Sequence, residues 1–210
     1  MRSLVLKDML IIKDNIKSFF FFFFFMLCIW APSGKFTLYI CTATIICSMM
    51  TITCCALDAT SDWAKYAMIM PLTKRDLVRS KYVGALIFSA IGAIIGLGSG
   101  IIAGVALQKI PLTSETLAPL FLVTLLAFII AIALIAPNIL LVFMFGVEKS
   151  RIFFILTALV LGGIAYGLYE FTGLKNLTAM ALGGLALLFL VAWVWIMYRI
   201  CCAVFEKAEL

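Results

Sequence analysis

The residues able to do chemistry in this chain of 210 residues gather in one stretch, from Asp58 to Tyr82. It is the only long polar interruption in a sequence otherwise built from apolar runs. Its chemistry is recognition rather than bond-making. Trp63, Tyr66, Ala67 and Met70 fall at i, i+3, i+4 and i+7, which places a bulky apolar stripe on one face of a short helix. Asp58, Ser61, Asp62 and Lys65 lie off that stripe. Pro71 lacks a backbone N–H and disfavours helix in the residue before it, so this helix is expected to stop near Met70. A second helix then starts at once. Thr73 followed by Asp76 is a capping-box spacing, and the turn it opens carries Lys74, Arg75, Arg79 and Lys81 before an apolar run begins.

Bond-making is excluded by what the chain lacks. There is no histidine, and no nucleophile stands beside a base in the apolar runs, so no catalytic residue and no metal site are expected. A phosphate-binding loop of the G-x-x-x-x-G-K-[ST] type is also missing, so the chain cannot hold ATP in that manner. Seven cysteines are read as small apolar packing residues, because no secreted domain is present for them to staple.

The elements that must hold the polar stretch are membrane spans. Apolar residues make up 66% of the chain and charged residues 12%, a balance that no soluble domain of this length tolerates. A hydrocarbon core of about 30 Å takes roughly 20 helical residues to cross, which leaves room for about six spans. Residues 1–17 come first, as an amphipathic helix. Val5, Met9, Ile12 and Ile16 form its apolar line, with Lys7, Asp8, Lys13, Asp14 and Lys17 pointing elsewhere, and such a helix lies in the membrane interface. The spans follow at about Ile16 to Ala31, Phe36 to Cys55, Tyr82 to Leu107, Leu117 to Phe145, Ile152 to Tyr169 and Leu177 to Tyr198. The first contains the uninterrupted run Phe19 to Phe25, which suits lipid and neighbouring helices or an aromatic binding wall.

Three spans carry further signals. The second is rich in hydroxyls, among them Thr44, Ser48 and Thr51, which either bond back to their own helix or line a polar path. In the third, Gly92, Gly96, Gly100 and Gly104 recur every four residues and make a groove that lets another backbone come close. In the fourth, Pro137 and Asn138 are expected to kink the helix and free a carbonyl inside the membrane, as a gate or as packing.

Of the 16 Lys and Arg residues, all but Lys35, Lys109 and Lys175 fall on one side of this arrangement. That side is expected to be cytoplasmic. Both termini and the Asp58 to Tyr82 stretch then lie in the cytoplasm, and the net charge of +6 answers to anionic lipid headgroups, with no nucleic acid as partner. No span as drawn has an interior Asp, Glu, Lys or Arg, so no ion-coupling site is visible. Uphill movement by such a chain needs energy from another subunit.

The patterns D-x-x-x-D-W-x-x-Y, M-P-L-T-K-R and V-x-x-K-Y, set between the second and third of six spans, resemble the small type-2 ABC exporter permeases. Met70 stands where a leucine is commoner. The resemblance covers the whole chain as topology and the Asp58 to Tyr82 stretch as motif. It implies one permease domain over residues 1–210, with 58–81 as a coupling segment that docks in a separate ATPase through Asp62, Trp63, Tyr66, Met70 and Pro71, with Lys74 and Arg75 nearby. It also implies two copies of that cytoplasmic ATPase, which carry the ATP and Mg, and a second permease chain forming a homodimer or heterodimer. The path would run between the permeases, with Thr44, Ser48, Thr51 and Tyr166 as candidate lining residues and Gly92, Gly96, Gly100 and Gly104 as packing. An apolar wall with hydroxyls suits an amphipathic or hydrophobic cargo, peptide favoured, crossing a bacterial cell membrane. The competing reading is a non-transporting immunity or sensor protein whose cytoplasmic helix recruits a partner.

Overall fold

The computed structural model describes residues 2–14, 16–30, 33–61, 73–107, 114–171 and 179–207. Among them the chain forms seven helices: α1 (Arg2–Asp14), α2 (Ile16–Trp30), α3 (Phe36–Thr60), α4 (Lys74–Ala106), α5 (Ser114–Phe145), α6 (Val147–Phe171) and α7 (Ala179–Lys207). Three of these are long and apolar enough to cross a bilayer, over Phe36–Thr60, Arg75–Ala106 and Leu117–Phe145. Shorter apolar helical stretches lie at Phe19–Trp30, Ile152–Gly163 and Leu190–Val204. Glycine sets two of the turns: Gly34 after α2 and Gly146 between α5 and α6 have φ of 66° and 83°, which a side chain resists. Gly146 alone joins α5 to α6, its N–H bonded to the Val142 carbonyl at 3.0 Å.

The helices distribute over two compact units, Arg2–Met50 with Val83–Ala131, and Thr51–Tyr82 with Ile132–Leu210. In the first unit the glycine line of α4 meets α3. A Cβ placed on Gly92 would stand 2.4 Å from the Cys47 Cβ and 3.2 Å from the Thr44 Cα, and one on Gly96 would stand 3.2 Å from the Ala43 Cβ. Gly100 faces the Ile40 and Tyr39 side chains at ordinary contact distance. The two backbones approach this closely because α4 has no side chains there. Tyr39 and Ser99 tie the same pair of helices by a hydroxyl–hydroxyl bond of 2.8 Å. Tyr39, Ile40 and Leu120 form a buried cluster with Met26, Leu27 and Trp30 packed on it. Within the phenylalanine run, Phe20, Phe21, Phe24 and Phe25 face outward.

Among the described side chains of α1, Leu4 and Asp8 are buried, Leu6, Met9 and Leu10 are exposed and Val5 is half-buried. Asp8 is only 2% exposed and its carboxylate lies 3.8 Å from the point where a Gly84 Cβ would be. Asp8 thus packs toward α4 at ordinary contact distance from Gly84, a placement that periodicity along α1 does not give. Ile16 and Lys17 open α2 rather than close α1.

In the second unit, α5 continues through Pro137. The carbonyl that the proline leaves without an N–H is that of Ala133, four residues earlier, and the Trp193 indole N–H of α7 donates to it at 3.2 Å. Tyr82 of α4 donates to the Ala136 carbonyl at 3.1 Å. Asn138 donates to the Leu134 carbonyl at 2.7 Å and to the Thr157 hydroxyl of α6 at 3.2 Å. The proline thus sits in a polar knot that joins α4, α5, α6 and α7.

Glycine substitutions test the contact between α3 and α4. Gly92→Ala brings a methyl group against Cys47 and is expected to lower stability by about 1–3 kcal/mol. Gly98, whose Cβ would meet nothing within 4 Å, is the control: Gly98→Ala should be neutral or stabilising by up to about 1 kcal/mol. Thermal denaturation in detergent reads both, and a Gly92→Ala protein as stable as its parent would remove the ridge from the packing account.

Candidate coupling site

The polar stretch is held at both ends by side chains that its own sequence supplies. On the incoming side, α3 ends at Thr60, where the last turn's carbonyls need partners. The Ser61 hydroxyl reaches the Asp58 carbonyl at 3.3 Å, and the Leu57 carbonyl, which takes the Ser61 N–H at 3.1 Å, also accepts from the Thr60 and Ser61 hydroxyls at 3.0 and 2.8 Å. On the outgoing side, Thr73 caps α4 in the expected way. Its hydroxyl accepts the Asp76 N–H at 3.2 Å and donates to the Asp76 carboxylate at 2.7 Å, which in turn accepts the Thr73 N–H at 3.4 Å. The Thr73 hydroxyl, and after it the Thr73 N–H, hold the Asp76 carboxyl below the usual carboxylate range.

Between the two ends lies an ion pair. Lys81 Nζ stands 2.7 Å from Asp58 Oδ2, with the side chains 6% and 17% exposed. At that distance and burial the pair is a charge-assisted hydrogen bond, stronger than an exposed ion pair because solvent screens it little. The first turns of α4 then sort by face. Leu77, Val78, Ser80, Lys81 and Tyr82 are buried, while Arg75 and Arg79 are exposed one turn apart. Tyr82, next to the ion pair, also packs edge-on against Tyr198 of α7, with ring centroids 5.6 Å apart.

The family profile of ABC-2 family transporter proteins matches residues 3–206. The chain belongs to the ABC-2 transporter family. It is a multi-pass membrane protein and a permease subunit of an ABC transporter, and in such systems the ATPase activity lies on a separate subunit. No curated protein and no solved structure matches the permease.

The sequence-predicted residues fall as follows. Arg75 is exposed on the first turn of α4, and Lys74 is the helix's first residue. Asp62, Trp63, Tyr66, Met70 and Pro71 lie outside the described residues, as does the expected end of the first helix. Thr44 and Ser48 of α3 are wholly buried. Their hydroxyls donate to their own helix, at the Ile40 carbonyl (2.8 Å) and the Ile45 carbonyl (2.7 Å). Thr51 is 1% exposed, and its hydroxyl has no partner among the described residues. Tyr166 belongs to α6. Gly92, Gly96 and Gly100 line the contact with α3, and Gly104 is buried. All seven cysteines are free thiols. The Asp58–Lys81 pair is what the sequence reading passed over. Its signal was available, since opposite charges flanking the same loop, at the facing ends of two spans, become neighbours once the spans pair.

Two measurements bear on this arrangement. Lys81→Met takes from the Asp58 carboxylate its cation at 2.7 Å and should cost about 3 kcal/mol, while Asp58→Leu combined with Lys81→Met should cost less than either single change. Thermal melts of the three variants decide, and strictly additive losses would mean the two residues act separately. The second concerns pH. Because the folded Asp76 carboxyl titrates lower than in the unfolded chain, the cap contributes fully above the ordinary carboxylate pKa and is lost as pH falls through the folded value. In Thr73→Ala the Asp76 carboxyl should titrate higher, as followed by NMR of carboxyl-labelled aspartate; an unmoved titration would separate Asp76 from Thr73.

Proposed function

We propose that the chain is the permease of an ATP-driven exporter, with six spans and both termini in the cytoplasm of a bacterial cell. It pairs with a second permease chain, identical or related, and with two copies of a cytoplasmic ATPase that hold the ATP and Mg. The single observation that carries this reading is the match of nearly the whole chain to the ABC-2 family. The buried Asp58–Lys81 pair supports the placement of the handle, because it ties together the two ends of the stretch that must take the load.

Residues 58–81 are the coupling segment. Asp62, Trp63, Tyr66, Met70 and Pro71 dock in the ATPase, with the cationic Lys74 and Arg75 beside them. The cargo is amphipathic or hydrophobic, a peptide before a small solute, since a wall with hydroxyls and few charges suits such a molecule. Thr44, Ser48, Thr51 and Tyr166 meet it along the path. Thr44 and Ser48 are packed in the present conformation, so exposing them requires α3 and α4 to part along the glycine line.

Trp63→Asp puts a charge where an apolar ring should be desolvated. It is expected to weaken assembly with the ATPase by about 2–5 kcal/mol and to leave membrane insertion intact. Co-purification of the two subunits in detergent is the measurement, with cargo-stimulated ATP hydrolysis as the second readout. Undiminished assembly of the Trp63→Asp permease would contradict the docking role, and transport without any nucleotide hydrolysed would overturn the exporter reading itself.

A further inference from the structure

The first unit contains a groove whose lining includes none of the residues proposed above for coupling or for the path. Two adjoining cavities, of about 230 and 300 Å³, both lined by Phe19, Phe23 and Ile95, make up the groove. One end of the groove reaches Lys13 of α1, and the other reaches Leu27 of α2. Among the described residues Lys13 is its only charged lining residue, and it is solvent-exposed. At the far end, the lining hydroxyls of Tyr39 and Ser99 bond to one another at 2.8 Å. The rest of the wall is apolar.

Those features define the occupant. Phe19 and Leu27 are eight positions apart on one helix, so the groove follows α2 for about 12 Å. One leaflet of a hydrocarbon core is about 15 Å deep. A peptide threaded here would bury backbone N–H and C=O groups without partners, which costs several kcal/mol per group, so this is not a cargo channel. A hydrocarbon chain needs no such partners. The cation at one mouth selects a negative headgroup, and Lys17, four residues further on at the start of α2, is likewise exposed. We infer that this groove is a binding site for an anionic phospholipid, with one acyl chain along Phe19, Phe23 and Ile95 and the headgroup phosphate at Lys13.

Occupancy requires nothing of the transport activity, so the test is one of lipid retention. The full-length permease is purified in detergent, titrated with phosphatidylglycerol or phosphatidylcholine of the same acyl chains, and examined by native mass spectrometry. The wild type should retain phosphatidylglycerol with about fivefold preference, the effect of one lysine near a headgroup. Lys13→Ala, a change at an exposed position, should lower that preference toward parity. Ile95→Trp, which fills the shared part of the groove, should reduce retention of both lipids. Equal retention of both lipids by the wild type overturns the inference, and so does a preference that survives Lys13→Ala. Absence of any retained lipid, as when a second copy of the chain covers the groove, overturns it as well.

Discussion

In hydrocarbon a polar atom has no water to turn to, so each one must find its partner within the protein. Most of the described architecture follows from that constraint. The hydroxyls of Thr42, Thr44, Ser48, Ser89 and Thr124 all donate to carbonyls of their own helices one turn back. Pro137 creates an unpaired carbonyl at Ala133, and the answer comes from another helix as the Trp193 indole. Tyr82 adds a second bond one turn along, at Ala136. The carbonyl that Pro137 frees is thus satisfied from another helix, and the Tyr82 and Asn138 bonds beside it tie α5 to two further neighbours.

The same constraint explains how the helices divide their contacts. Apolar side chains give no directional preference in a bilayer, where lipid tails are as apolar as Leu or Ile, so close association depends on shape and on hydrogen bonds. In the first unit shape does the work: at Gly92 a Cβ would stand 2.4 Å from the Cys47 Cβ, closer than real side chains come, and at Gly96 it would be tight against Ala43. In the second unit hydrogen bonds do it, through Trp193, Tyr82 and Asn138. Asn138 Oδ1 and Thr51 Oγ1 are buried with no partner among the described residues. Each such atom costs about 1–3 kcal/mol, a penalty specific to this conformation that another arrangement of the helices can remove.

The parts legible in the sequence were those written in one local segment. Thr73 and Asp76 announce their box by a spacing of three, and the box forms as read. The four-residue glycine period marks a close approach, though only the structure names α3 as the partner. What escaped the sequence depends on residues far apart along the chain. Trp193 lies far from Ala133 in the chain, and no local pattern links an indole to a carbonyl that exists only because Pro137 cannot bond to it. The burial of Asp8 is of the same kind. Helical periodicity places this carboxylate off the apolar line of α1, but that it packs toward Gly84 depends on a different helix. The Asp58–Lys81 pair was half legible, as two charges at facing helix ends whose contact follows only when the spans pair.

That pair has a mechanical consequence for the proposed docking. A bound motor shifts the permease between conformations only to the extent that it binds one of them better than the other. A segment whose ends moved independently would follow the ATPase without moving the helices, and binding would be alike in every state. Asp58 and Lys81 remove this slack by joining the last turns of α3 to the first turns of α4 at 2.7 Å. The Thr73–Asp76 box keeps the start of α4 from fraying, and Leu77, Val78 and Tyr82 bury its inner face. A displacement of the segment then reaches the two helices together rather than being absorbed in the loop between them. For a permease without a motor of its own, that stiffness at the base of the handle matters as much as the residues that make the grip.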